Sequence, residues 1–149
     1  MEHVMTWRGA GLGSPTGWAR RALLAILAFE AAGALIGGPL LVAAPNGRLM
    51  QIPIGDLHGT FADFLIPGVL LSGLGILNAI AFIALWRQKV SAWLWVGLAL
   101  GGFLIWFVVE LAITGFQNWA QAAWGLPVPV GIILALPMES ARLHTRGAP

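Results

Sequence analysis

Four long runs of apolar residues, parted by short polar breaks, dominate the chain. A helix that crosses a bilayer needs about 20 predominantly apolar residues. The first run spans about 22–44 and closes through Gly37-Gly38-Pro39. The second spans about 64–86 and the third about 92–114. The fourth, about 119–138, is weaker: it contains Gln121, Pro127 and Pro129, and its clean apolar stretch is only Leu126 to Met138. Two arrangements are open for it: a helix starting near Phe116 that kinks at the prolines, or a segment that enters partway. Prolines are tolerated in membrane helices where neighbours satisfy the freed backbone groups. The pattern predicts an all-α, polytopic four-helix transmembrane bundle over 18–139.

The connections carry turn chemistry. Residues 1–17 include Gly9, Gly11, Gly13, Pro15 and Gly17, which reads as a flexible arm. Residues 140–149 read as a short tail. The longest loop runs from Pro45 to about Thr60, with a turn at Asn46-Gly47 and a short extended piece over Gln51–Ile54. Thr60 to Asp63 has capping-box spacing. Thr60 is expected to cap the second helix, with Asp63 reaching back to its free N–H.

Composition agrees with the pattern. Only 9% of residues are charged, 58% are hydrophobic and mean hydropathy is +0.84; a soluble domain carries roughly a quarter charged residues. The absence of cysteine excludes disulfides, thiolate nucleophiles and cysteine metal sites. The pI near 10.5 reflects scattered arginines near helix ends. Nucleic-acid binding needs a clustered basic face, and no basic run here exceeds Arg20-Arg21, so no nucleic-acid partner is expected.

Arg20-Arg21 ahead of an apolar run has the look of a secretion signal. The run is longer than the roughly 7–15 residues of a signal core, Glu30 interrupts it, and Pro45 would follow a cut after Val42-Ala43-Ala44. It is therefore read as a retained helix. With four spans, one side of the membrane holds Arg8, Arg20, Arg21, Arg87, Lys89, Arg142 and Arg146, and the other holds Arg48 alone. The positive-inside rule then places both termini in the cytoplasm of a multi-pass cell-membrane protein. Trp18, Trp86, Trp93 and Trp95 fall at the inner interface and Trp119 and Trp124 at the outer one, as headgroup anchors; Trp106 sits deeper.

Small residues suggest where helices meet. Gly33 with Gly37, and Gly97 with Gly101, form GxxxG pairs, and the second helix offers Gly68, Ser72, Gly75 and Ala79. Such residues let helices approach closely where lipid supplies no hydrophobic drive. Packing within the bundle is the first reading; a dimer seam is the second.

Intramembrane polar groups are the candidates for function, because a charge near mid-bilayer costs ~2.5–3.5 kcal/mol. Glu30, Asn78 and Glu110 qualify. Glu30 and Asn78 are expected at similar depth, where they could hydrogen-bond between the first two helices, with Glu30 carrying its proton. Glu110 is expected near the outer end of the third helix, ~15 Å or more in depth from Glu30. Asp56, His58, Asp63, Gln117 and Gln121, with Asn118, should join it in an outer polar patch. That patch reads either as ordinary caps or as a shallow pocket. Its spacing fits no metal signature, so no metal and no cofactor is assigned. No catalytic residue is assigned either: Ser72 is the only serine deep in a span and His58 lies at its edge.

The segment Phe61-Ala62-Asp63-Phe64-Leu65-Ile66-Pro67-Gly68 resembles the opening of the second helix in uncharacterised small bacterial four-helix membrane proteins. These also carry an acidic or polar residue and a Gln late in helix 3 and beyond, like Glu110 and Gln117. The resemblance implies the four-span layout and brings no activity.

Three functions are compatible with this chain. The first is a non-catalytic accessory or scaffold component in the lipid bilayer, with a second copy or another membrane protein as partner. The second is an oligomeric cation- or proton-coupled transporter or channel protomer using Glu30 or Glu110. The third is an intramembrane enzyme with an outer-face polar site.

Overall fold

A computed structural model describes residues 15–117 and 119–146. It is all-helical among these residues: α1 (Pro15–Ala43), α2 (Leu65–Trp86), α3 (Ala92–Thr114), α4 (Trp119–Gly125) and α5 (Pro127–Arg146), with a short 3₁₀ turn at Ile54–Leu57. Four segments are long and apolar enough to cross a membrane: Gly17–Ala43, Leu65–Trp86, Ala92–Thr114 and Trp119–Pro137.

Two boundaries differ from expectation. The first helix begins at Pro15, so residues 15–17 belong to it; residues 1–14 of the expected arm lie outside the described residues. Proline at a first helical position costs no hydrogen bond, since that N–H has no intrahelical partner. At the other end the expected tail is helical as far as Arg146. No Gly or Pro interrupts Glu139 to Arg146, and Ala, Arg and Leu there favour helix.

α1 packs on α2 and α2 on α3, α4 packs on α5, and α5 closes the ring by packing on both α1 and α3. The closest approach joins α1 to α2. A Cβ built at Gly38 would come within 2.6 Å of Ser72 N and 2.9 Å of Gly68 O. Gly68 in turn faces Leu41 and Val42, and Gly75 faces Ala34 and Leu35. The α1–α2 seam therefore runs through Gly38, one position past the GxxxG pair. Gly37 instead faces the side chains of Leu71 and Met50. On α3, Gly97 and Gly101 have no neighbour within 4 Å of a built Cβ, while Gly102 meets Leu74.

The arginine-bearing end of the bundle is its packed end. Leu23, Leu27, Ala81, Leu85, Val96 and Leu100 form one buried cluster there. Arg20 closes it: its Nη2 donates to Leu85 O at 3.1 Å and Trp86 O at 3.0 Å, satisfying carbonyls at the end of α2. The α2–α3 turn adds a Schellman motif, with Lys89 N donating to Ala84 O and Gln88 N to Leu85 O. Gln88 holds φ +52°, the left-handed position glycine usually fills. Relief of that strain, ~1–2 kcal/mol, exceeds glycine's added chain entropy of ~0.5–1 kcal/mol. Gln88→Gly is expected to stabilise the protein by about 0.5–1 kcal/mol in a denaturant titration in detergent.

The opposite end is held by the long loop. Phe64 N donates to Pro45 O at 2.8 Å, tying the loop's ends together, while Leu57 packs with Leu41 and Phe64. Asn46-Gly47 makes the expected turn, with Gly47 at φ +75° and Asn46 Oδ1 accepting from Arg48 N. Gln51–Ile54 forms no strand; it leads into the 3₁₀ turn. The expected capping box does not form. Residues 60–64 are bends, α2 starts at Leu65, and Asp63 Oδ1 alone caps it by accepting from Leu65 N at 2.9 Å.

The fourth segment is two helices with their break at Leu126. Pro127 starts α5, and Leu126 N still donates to Ala122 O at 2.9 Å. The expected interruption at the prolines is seen, but the helix starts at Trp119 rather than near Phe116.

Candidate functional site

The loop-end half of the bundle contains a cavity of about 990 Å³. Pockets for drug-sized ligands are about 300–1,000 Å³, so this one is large for a chain of this size. Its walls come from α1, the long loop, α2, α3 and α4, with Val128 at the start of α5. Val69 and Leu70 on α2, and Ile105 and Val109 on α3, line it and are more than two-fifths exposed. The cavity therefore opens between α2 and α3. These helices are joined by a five-residue turn at the packed end.

Glu30 lines this cavity and is only 1% exposed. It stands at the midpoint of the Gly17–Ala43 segment, with thirteen residues on either side. At 1.5 Å per residue this is ~20 Å from each end of that helical segment. Its Oε1 has no hydrogen-bond partner among the described residues. Asn78 is fully buried and donates through Nδ2 to Leu74 O, on its own helix, at 2.9 Å. Asn78 Oδ1 is likewise unpartnered. The register that sets Gly38 against Ser72 and Gly75 against Ala34–Leu35 brings Glu30 level with Asn78. The amide's donor goes to backbone rather than to the carboxyl.

Glu110 lines the same cavity from α3. The Trp106 indole and the Gln121 amide stand beside its carboxyl. Gln121 donates to Thr114 Oγ1 at 3.1 Å and to Gly115 O at 3.2 Å, and its Oε1 accepts from Gln117 N at 2.6 Å. Gln117 Nε2 donates to Thr114 O at 3.1 Å. The two glutamines thus complete the C-terminus of α3, whose last carbonyls lack helical partners, and hold Glu110 beside that cap.

The expected outer patch divides. Asp56, Glu110, Gln117 and Gln121 line the cavity, whereas His58 and Asp63 are not part of its wall. His58 Nδ1 lies 2.9 Å from Asp56 O, and Asp63 is engaged as the α2 cap. Asn118 lies outside the described residues. Among the described residues no three His, Asp or Glu side chains gather as a metal site.

Trp124 carries more than an anchor's role. It stacks on Phe29 with ring centroids 4.5 Å apart, and its ring covers Gly33. The GxxxG glycine of α1 is thus a seat for an aromatic ring, not for another backbone. Gly125 similarly receives the Phe107 ring. Trp124 lines the cavity as Glu30 does. The one sequence signal for this was the Trp-Gly step ahead of the prolines, where the chain changes direction.

No family model, curated protein or solved structure matches the chain.

Proposed function

We propose that the protein is a non-catalytic component of the cell membrane that holds a lipophilic molecule within its bundle. It crosses four times, with both termini in the cytoplasm, as the seven-to-one arginine and lysine bias supports. The observation that carries the ligand reading is the cavity with Glu30 in its wall, buried, its Oε1 without a partner among the described residues. A solitary acid at mid-span is costly, and a cavity beside it gives a bound molecule room to meet that acid. In this orientation the opening between α2 and α3 faces the acyl chains, so the ligand enters sideways from the bilayer.

Native mass spectrometry of protein released from mild detergent tests this. The parent is expected to retain a lipophilic molecule at one per chain. Gly73→Trp is expected to lose it, because Gly73 lines the cavity and has open space around a built Cβ. A parent that carries nothing, or a Gly73→Trp variant that retains the same mass, would overturn the reading.

A second reading, a proton- or cation-coupled transporter protomer, is favoured by one observation: Glu30 and Glu110 line a single cavity running from mid-span toward the loop end. Association with a second copy or another membrane protein would use α3, where Gly97 and Gly101 are unpacked. Gly101→Leu is expected to leave unfolding within ~0.5 kcal/mol of the parent while abolishing any oligomer seen by crosslinking.

A further inference from the structure

We propose that the cavity selects a lipophilic cation, an amine or quaternary onium compound, whose charge is received by Glu30. This rests on the ligand-holding reading above and specifies its chemistry. Three acidic side chains line the cavity, Glu30 from α1, Asp56 from the long loop and Glu110 from α3. No Lys, Arg or His lines it among the described residues, and α2, α4 and α5 contribute no charged side chain to its wall.

That distribution discriminates among ligands. A fatty acid or phospholipid headgroup would bring negative charge to a wall with no cation to receive it, and like charges in a poorly solvated site repel strongly. A cation meets the opposite field. The apolar wall supplies its second requirement: Phe61, Phe64, Phe103, Trp106, Phe107 and Trp124 all line the cavity. Aromatic faces attract cations, more strongly once both are desolvated, and the same rings take up an apolar body.

The two central acids differ in readiness. Glu110 has the polar side chains of Trp106 and Gln121 beside it, next to the capped end of α3. Glu30, in the wall of the same cavity, has an enclosed oxygen with no partner among the described residues. An unpaired carboxylate buried at mid-span is costly, and either a proton or a cation relieves that cost. A quaternary cation therefore takes the proton's place: the O–H bond breaks, the proton leaves to solvent and the carboxylate pairs with the cation. An amine arriving as its free base takes the proton itself, leaving an ammonium–carboxylate pair.

Tetraphenylphosphonium and tetraphenylborate, ions of matching shape and opposite charge, test this on the full chain in nanodiscs of zwitterionic lipid. Binding is read as the saturable excess over empty discs. The phosphonium is expected to saturate at one per chain and to release a proton, followed with a pH dye in weak buffer. The borate is expected to show no excess. Glu30→Gln should weaken phosphonium binding by about tenfold or more and abolish proton release. Glu30→Asp, which keeps the acid, should retain both and shows that the site still folds. Equal binding of the two ions, or unchanged phosphonium binding in Glu30→Gln, would overturn the proposal. If uncharged triphenylmethane binds as well as the phosphonium and Gly73→Trp blocks both, the cation selectivity fails and the ligand-holding reading stands. If no probe exceeds empty discs, both fail.

Discussion

Gly38→Val is expected to destabilise the bundle by about 2–3 kcal/mol, enough to lower its melting temperature in detergent by several degrees. The added Cβ would first meet Ser72 Oγ, with backbone close behind it. The added Cβ would sit 2.6 Å from Ser72 N and 2.9 Å from Gly68 O, and neither atom can rotate away. Ser72 cannot ease the contact, because its hydroxyl already donates to Gly68 O at 2.8 Å. The two helices must separate along the seam. In a bilayer there is no hydrophobic penalty to press them together again, since lipid is as apolar as the interface. Gly97→Ala serves as the control. With nothing within 4 Å of its Cβ, it is expected to be neutral or to stabilise by up to ~1 kcal/mol through helix propensity. A Gly38→Val protein as stable as the parent would show that α1 and α2 do not touch here.

Leu100→Ala is expected to cost about 2 kcal/mol, while Ile105→Ala on the same helix is expected to cost close to zero. Leu100 is 1% exposed, at the centre of the packed end. Its methyl groups lie 3.2–3.3 Å from the Cβ position of Gly131 on α5. Ile105 is 68% exposed. In water both truncations would lose transfer energy. For a chain surrounded by lipid that term vanishes, because a methyl group leaves one apolar medium for another. What remains is the void, at ~24 cal/mol per Å³ of cavity, and only Leu100 leaves one. Unfolding of the two variants in mixed micelles checks the contrast. Equal losses would mean that α3 is not packed as described.

The helices were legible in the sequence because an apolar run of spanning length has few other interpretations. The break in the fourth segment was legible as well, since Pro127 and Pro129 leave little choice about where the helix turns. The cavity was not. Whether Leu70, Ile105 or Phe103 faces a neighbour, a void or lipid depends on how far α2 and α3 diverge, and all three environments accept the same apolar residue types. The glycine pattern misled for a related reason. GxxxG marks a smooth helix face without saying what lies on it: at Gly33 the occupant is an indole ring, at Gly97 and Gly101 there is none, and the backbone seam falls on Gly38. Glu30 and Glu110 were visible as anomalies. That they share one wall required the fold.

The two ends of this molecule are built unequally, and that has a mechanical consequence. At one end Arg20 bolts α1 to the last carbonyls of α2, and a tight turn bolts α2 to α3. At the other end Val69, Leu70, Ile105 and Val109 stand exposed along the cavity, and the fourth span is jointed at Leu126. Such a structure is built like a pair of tongs. A slight tilt at the bolted end becomes a wide travel at the tips, and under the proposed function the tips are where a guest would pass.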